Sequence, residues 1–118
     1  MKKIIIWKYW ATIYPPQASF DEKEVGKRLL LAMVIDSYKC LESGLIQEPK
    51  DADVGSILGL GFPIHTGGVM SYINFVRAPE FALYSEKLAL KYGERFALLE
   101  SLKERIKTAG TNRVFYKN

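Results

Sequence analysis

Apolar residues recur at helical spacing along most of the chain, and this pattern predicts an all-α protein. We expect one long central helix over Asp21–Ser43, in which residues 29–35 are apolar at every position. A helix that is apolar on all sides is typically enclosed by its neighbours. Ser19 or Asp21 can cap its first N–H groups, and Gly44 suits the left-handed position that follows a helix.

Two shorter helices are predicted next. Pro49 suits the first position of a helix, where its missing N–H costs nothing. The apolar stripe of this second helix consists of Val54, Ile57 and Leu58. Thr66 is the predicted N-cap of the third helix. The residues that we expect this helix to turn inward are Met70, Ile73 and either Phe75 or Val76.

Two more helices and a short tail complete the chain. Pro79 starts the fourth helix, which Gly93 terminates and which carries Phe81, Tyr84, Leu88 and Tyr92 at helical spacing. The fifth helix ends at Gly110 and has Leu99, Leu102 and Ile106 on one face, with Lys103, Arg105 and Lys107 outside. The apolar tail Val114–Tyr116 is expected to dock back on the domain. The whole pattern predicts about five helices in a single compact bundle.

The beginning of the chain has a different composition. Residues 1–18 are rich in Ile, Trp and Tyr, which favour extended structure. Pro15 and Pro16 then force an extended or turn conformation. We therefore predict an extended N-terminal arm over residues 1–18, followed by a helical domain over residues 19–118.

Composition excludes several classes of function. The chain has 118 residues, enough for one modest core, and a formal charge of only +4, so we expect no nucleic-acid partner. Cys40 and His65 are the only residues of their types, which excludes an intramolecular disulfide and argues against a metal cluster. We expect Cys40 to be a small buried apolar residue. No apolar run reaches the roughly 18 residues of a membrane span, and Lys8 interrupts the initial one, so we expect a cytoplasmic protein without a signal peptide.

The segment Gly59-Leu60-Gly61-Phe62-Pro63-Ile64-His65-Thr66-Gly67-Gly68 concentrates four glycines and a proline between two predicted helices. Glycine is used where φ must be positive or where backbones approach closely. The start of the segment resembles a dinucleotide fingerprint, but Ile64 replaces the third glycine and no predicted strand precedes it. A phosphate-binding loop needs the strand, the free N–H groups and a helix N-terminus together, so we do not expect a nucleotide here.

This segment and several fixed residues resemble the C-terminal helical domain of 3-hydroxyacyl-CoA dehydrogenases. The likeness is greatest to the second copy of that domain, in the multifunctional fatty-acid β-oxidation α-subunit. It covers about residues 20–117, and its most specific part is the loop Gly-Leu-Gly-Phe-Pro followed by Gly-Gly. The matching residues are Arg28-Leu29-Leu30, Cys40-Leu41-Glu42-x-Gly44, Asp53, Gly59-x-Gly61-Phe62-Pro63, Gly67-Gly68, Phe96, Leu98-Leu99 and Phe115-Tyr116. The resemblance implies a fold like the C-terminal domain of 6-phosphogluconate dehydrogenase.

The resemblance also implies where the chemistry lies. In this family NAD and a catalytic His–Glu pair belong to a nucleotide-binding domain, so no cofactor and no catalytic residue is expected in this chain. The first copy of the helical domain supplies a substrate-positioning Asn, and the matching position here is Lys27, which lacks the paired donor and acceptor of an amide. Asn74 stands where the family often has Asp. His65 lies at a position that the family does not fix, and no neighbouring carboxylate is placed by sequence to orient it.

Two functions follow as hypotheses. The first is a non-catalytic structural or dimerisation domain that packs on the nucleotide-binding and first helical domains of a dehydrogenase, or on a second copy. Its candidate interface and loop residues are Leu29, Leu30, Met33, Gly59, Gly61, Phe62, Pro63, Gly67 and Gly68. The alternative is a free-standing module that binds acyl-CoA. From Lys91 onward there are seven Lys/Arg against three Glu, and the candidate residues for the CoA phosphates are Lys103 and Lys107, one helical turn apart.

Overall fold

The computed structural model describes residues 2–13 and 21–116, apart from the side chains of residues 2–5 and 7. All regular structure in this part of the chain is helical, which confirms the predicted fold class. The six α-helices are α1 (Lys2–Ile13), α2 (Glu22–Glu42), α3 (Pro49–Leu60), α4 (Ser71–Phe75), α5 (Ala78–Tyr92) and α6 (Glu100–Ala109). Two short 3-10 helices, Ile64–Thr66 and Glu94–Phe96, complete them. The finer likeness to 6-phosphogluconate dehydrogenase stays a prediction.

Helix α1 corrects the prediction of an extended arm. Lys2–Ile13 is helical, although its β-branched and aromatic residues are weak helix formers. A strand needs a partner for its backbone groups, and no described residue forms one. A helix satisfies those groups internally, and Thr12 adds a bond from its Oγ1 to the Lys8 carbonyl oxygen at 2.9 Å. The remainder of the predicted arm, residue 1 and residues 14–18, lies outside the described residues.

Helix α2 matches its predicted limits closely. The Asp21 Oδ1 accepts a hydrogen bond from the Lys23 backbone N–H at 2.9 Å and so caps the first turn. Ser19, the other candidate cap, lies outside the described residues. At the far end Ser43 closes the helix, and Gly44 follows with φ +83°, as predicted from its glycine.

The apolar run on α2 is only partly enclosed. Leu31, Val34 and Ile35 are fully buried in the core. Leu29 is 63% exposed, however, so this domain alone does not enclose the run at this position. The outer face of α2 therefore carries a large apolar side chain that this domain does not cover.

Helix α5 contacts both α4 and α6, and α2 contacts α3 and the 3-10 helix Glu94–Phe96. Val76 rather than Phe75 turns inward on α4, because Phe75 is 55% exposed. Helix α5 begins at Ala78, one residue before Pro79. The buried core of the described residues consists of Leu31, Val34, Ile35, Tyr38, Ala52, Phe62, Val69, Met70, Tyr72, Ile73, Ala78, Phe81, Leu88, Phe96, Leu98, Leu102, Ile106 and Val114. Cys40, predicted to be buried, is only partly so.

The C-terminal tail returns to the helices, as predicted. Val114 is buried, and its backbone N–H donates to the Asn74 Oδ1 at 3.0 Å. The Phe115 ring lies 6.0 Å from that of Tyr38 on α2. Asn74, which the resemblance placed at a frequent Asp position, thus anchors the tail by its amide oxygen. In the part of the chain that is described, no helix has the length and apolar character needed to span a bilayer.

Candidate functional site

The glycine-rich segment connects α3 to α4 and is set by three left-handed glycines. Gly61 ends α3 with φ +69°, and Gly67 and Gly68 follow the 3-10 helix Ile64–Thr66 with φ +86° and +115°. Gly59 and Gly61 therefore lie at the C-terminal end of a helix, where the macrodipole is negative. A pyrophosphate is bound at the opposite end of a helix, so the end of α3 at Gly59 and Gly61 is not a phosphate-binding N-terminus.

The Asp53 carboxylate organises the whole segment. Asp53 is 5% exposed. Its Oδ1 accepts hydrogen bonds from the backbone N–H groups of Met70 at 2.6 Å and Ser71 at 3.1 Å. Its Oδ2 accepts from the Ser71 hydroxyl at 2.7 Å and the Tyr116 hydroxyl at 2.5 Å. One side chain of α3 thus binds the start of α4 and the C-terminal tail.

Gly68 makes this arrangement possible. A Cβ atom at Gly68 would lie 2.5 Å from the Asp53 Cα, closer than packed atoms approach. The adjacent contact is a hydrogen bond from the Val69 N–H to the Ser56 Oγ at 3.2 Å. The loop and α3 therefore pack backbone against backbone, which requires glycine.

The cap of α4 differs from the prediction. Thr66 lies five residues before Ser71, the first residue of α4, and its Oγ1 donates to the Pro63 carbonyl oxygen at 2.7 Å. The N-cap position is Met70, which has no capping side chain of its own. Asp53 supplies the missing acceptor from 17 residues earlier in the chain, so the prediction of Thr66 as the cap is wrong.

The Asp53 cluster is built for structure rather than acid–base chemistry. Both carboxylate oxygens are engaged by donors, and Asp53 itself is shielded from solvent. Burial, reinforced by the hydrogen bond to Asp53, raises the pKa of the Tyr116 hydroxyl far above its ordinary value of 10.0, which keeps it a donor. The four bonds therefore hold two helices and the tail together.

His65 does not form a catalytic pair among the described residues. Its side chain is exposed, and its ring lies 5.4 Å from that of Phe75 in an edge-to-face contact. Within residues 2–13 and 21–116, no carboxylate forms a hydrogen bond or ion pair with this imidazole, so none orients it as a general base. The described residues also contain no group of three or more side chains able to hold a metal.

The predicted interface residues divide into accessible and inaccessible ones. Leu29 and the glycines Gly59, Gly61 and Gly67 are exposed, while Leu30, Met33 and Pro63 are partly buried. Phe62 and Gly68 are buried inside the domain. A partner can therefore reach the first group but not the last two residues.

An exposed apolar surface lies on the helix that precedes this loop, and its exposure was not predicted. We call it the α3 surface; its residues are Val54 and Leu58, which are 56% and 81% exposed. Val54 and Leu58 share one face of α3 because they are four residues apart. No charged residue occurs from Val54 to Ile64. That absence of charge was the sequence signal for this surface, whereas helical spacing alone had placed Val54, Ile57 and Leu58 on one apolar stripe.

Comparison with known proteins decides the family. The chain is 35% identical over 103 residues to the fatty acid oxidation complex subunit alpha of Vibrio vulnificus, an alignment that covers 87% of this chain and 14% of that protein. It is 36% identical over 88 residues to the α-subunit of Shewanella baltica, covering 75% and 12%. The chain is a homologue of one segment of the fatty acid oxidation complex α-subunit. No protein-family model matches it.

This homology confirms the resemblance inferred from the glycine segment. The chain spans about one seventh of the length of the α-subunits that it matches, so it corresponds to one small domain of a much larger protein. Fatty acid oxidation, which the names of these relatives state, is thus a property of proteins about seven times as long as this chain.

The two lysines suggested for CoA phosphates lie in different surroundings. The Lys103 Nζ lies 2.8 Å from the Glu100 Oε1, and this hydrogen bond raises the Lys103 pKa. Lys107 is exposed near the end of α6. The large cleft nearby, of about 810 Å³, is lined by Arg105 and Arg113 instead. The structure thus offers no paired site at these lysines, and acyl-CoA binding there stays a prediction.

Proposed function

We propose that the chain is a non-catalytic structural domain of a β-oxidation 3-hydroxyacyl-CoA dehydrogenase. It packs on the nucleotide-binding and first helical domains of that enzyme, or on a second copy of itself. The parent reaction is the NAD-dependent oxidation of a 3-hydroxyacyl-CoA to a 3-ketoacyl-CoA. NAD and the reacting groups then belong to other domains, and this chain supplies a packing surface.

The α3 surface is the observation that carries this proposal. Its two aliphatic side chains are large and mostly exposed, and no charged residue lies between them in the sequence. Fully burying one such side chain contributes about 1.5–3 kcal/mol. Exposed apolar side chains that lie together often mark the places where a protein contacts a partner. Homology to a segment within a larger α-subunit supports the same view, because such a segment has neighbouring domains to pack on.

The Asp53 cluster explains how the surface is held in place. Met70 and Ser71 at the start of α4 and Tyr116 of the tail all bind this one carboxylate of α3. The helix that presents Val54 and Leu58 is therefore fixed to the rest of the domain. A rigid surface loses less conformational entropy on association.

Light scattering coupled to size-exclusion chromatography tests the proposal. The chain is measured alone from low to high concentration, and together with the Vibrio vulnificus α-subunit from which the homologous segment has been removed. We expect association in at least one of these two measurements. We expect Leu58→Glu to weaken it, because this substitution places a charge in the contact. Leu90→Glu is the matched control, because Leu90 is 92% exposed on α5 and lies outside the α3 surface.

Two results would count against the proposal. One is a monomer at every concentration that also fails to associate with the truncated α-subunit. The other is association that Leu58→Glu and Leu90→Glu weaken equally, since the α3 surface would then have no special role.

A further inference from the structure

A basic cleft opens between the start of α2 and the end of α5. It has a volume of about 390 Å³, and four of its eight lining residues are lysines. Lys23 and Lys27 belong to α2, and Lys87 and Lys91 belong to α5, so each helix contributes two lysines that are one turn apart. All four are exposed to solvent. We call this site the lysine cleft.

The two carboxylates that line the lysine cleft already have partners. The Glu24 Oε1 accepts hydrogen bonds from the Lys91 Nζ at 3.1 Å and from the Tyr92 hydroxyl at 3.2 Å. These bonds lower the Glu24 pKa, so its charge is committed to this contact at neutral pH. The Asp21 Oδ1 accepts the Lys23 backbone N–H as the cap of α2. Of the four lysines, only Lys91 is therefore paired with a carboxylate.

The other three lysines carry uncompensated charge. Within residues 2–13 and 21–116, no carboxylate forms an ion pair with Lys23, Lys27 or Lys87. The Lys27 Nζ lies 5.8 Å from the centre of the Tyr84 ring, and such a contact attracts the ammonium without neutralising it. Like charges one turn apart on a helix repel each other. Acidic groups from outside the chain would relieve this repulsion on both helices.

The arrangement of the lysines favours an extended acidic surface over one compact anion. Lysine is a flexible point charge, whereas the bidentate recognition of a single phosphate or carboxylate is typical of arginine. No arginine is among the lining residues of the cleft. The charges are also divided between two helices and spaced along each of them. Several carboxylates at matching intervals can therefore contact this cleft, which a single small anion cannot do.

We infer that the lysine cleft binds an acidic helix of a protein partner, whose carboxylates one turn apart contact Lys23 and Lys27 on one side and Lys87 on the other. Homology to one segment of a much larger α-subunit supports a protein as the occupant. Opposite charges of this kind increase the association rate and fix the register of a contact. The inference goes beyond the proposed function, because neither residue of the α3 surface lines this cleft.

Titration with an acidic helical peptide tests the inference. The probe is an alanine-based peptide of about 16 residues with glutamate at every fourth position, and the comparison peptide has the same composition with its glutamates distributed around the helix. We expect saturable NMR shifts at Lys23, Lys27 and Lys87 with the probe and binding about threefold weaker with the comparison peptide. Raising the salt concentration from about 20 mM to about 200 mM should weaken binding about tenfold. Inorganic tripolyphosphate and single-stranded DNA of similar charge should bind more weakly than the probe.

A double variant tests the two sides of the cleft together. Lys27→Glu combined with Lys87→Glu reverses one charge on each helix and should weaken binding of the probe about tenfold. Each substitution converts a like-charge pair one turn apart into an opposite-charge pair, so we expect the variant to fold, and circular dichroism checks this. Lys39→Glu combined with Lys107→Glu is the matched control. It changes the net charge equally, and both residues are exposed and lie outside the cleft.

Four results would each overturn the inference. These are no saturable binding at low salt, equal affinity for the two peptides, binding of tripolyphosphate or DNA at least as tight as that of the probe, and equal weakening by the two double variants. The titration does not involve the α3 surface, and the association measurements with Leu58→Glu do not involve the lysine cleft. Failure of one proposal is therefore distinguishable from failure of the other.

Discussion

Replacing Asp53 by alanine tests the structural core of the account. The substitution removes the acceptor for the Met70 and Ser71 N–H groups and for the Ser71 and Tyr116 hydroxyls. A hydrogen bond to a charged group contributes about 1.5–3 kcal/mol, and a buried donor left unpaired costs about 1–3 kcal/mol. The two hydroxyls can turn to other acceptors, whereas the two backbone donors cannot. We therefore expect Asp53→Ala to lower the free energy of unfolding by about 3–5 kcal/mol.

Asp53→Asn distinguishes the effect of the side chain's shape on stability from the effect of its charge. Asp53→Asn keeps one oxygen for the two backbone donors, so we expect a loss of only about 1–2 kcal/mol. Urea unfolding followed by far-ultraviolet circular dichroism gives both values. Asp36→Ala is the control, because the Asp36 carboxylate is exposed and lies 3.9 Å from the Lys39 Nζ in a weak surface pair. Should Asp53→Ala cost no more than Asp36→Ala, the assignment of Asp53 as the organising residue is wrong.

Three further substitutions probe other contacts. Gly68→Ala should cost about 2–4 kcal/mol through backbone strain and the clash with Asp53, whereas Gly59→Ala, which meets no atom within 4 Å, should be neutral or stabilising in the same urea experiment. Folding raises the Tyr116 pKa above its ordinary value of 10.0. The stability that the neutral hydroxyl contributes is therefore fully present below pH 10.0 and is lost as the pH rises from there through the folded-state pKa. Tyr116→Phe should therefore lower stability at neutral pH and flatten its alkaline decline, and parallel unfolding curves across pH would show this. Ser85→Ala should cost about 1–2 kcal/mol in thermal unfolding, because the Phe96 carbonyl oxygen loses its donor.

Local signals were sufficient for much of the helical framework. Asp21 and Gly44 delimit α2 through contacts with residues only a few positions away, and such contacts can be inferred from sequence order. The inward positions of Met70 and Ile73 followed from helical spacing in the same way. The extended structure predicted for residues 2–13 from their strand-forming composition was wrong. Such residues stabilise a strand only when a second strand pairs with it.

The site could not be derived from local signals. Asp53 caps α4 from a position 17 residues before Met70. Capping residues are normally predicted next to the helix that they cap, and Thr66 was therefore predicted instead. Leu58 fitted the predicted apolar stripe of the second helix by spacing, yet its side chain is 81% exposed. Helical spacing shows which residues share a face, but tertiary packing decides which face is covered.

Amide hydrogen exchange tests the central claim most directly. The 118-residue chain is measured alone and with the Vibrio vulnificus α-subunit that lacks the homologous segment. The account predicts slower exchange in α3 and the following loop up to Ile64 when the partner is present, with little change in α6. Unchanged exchange in α3, or protection confined to α6, would contradict a packing role for the α3 surface.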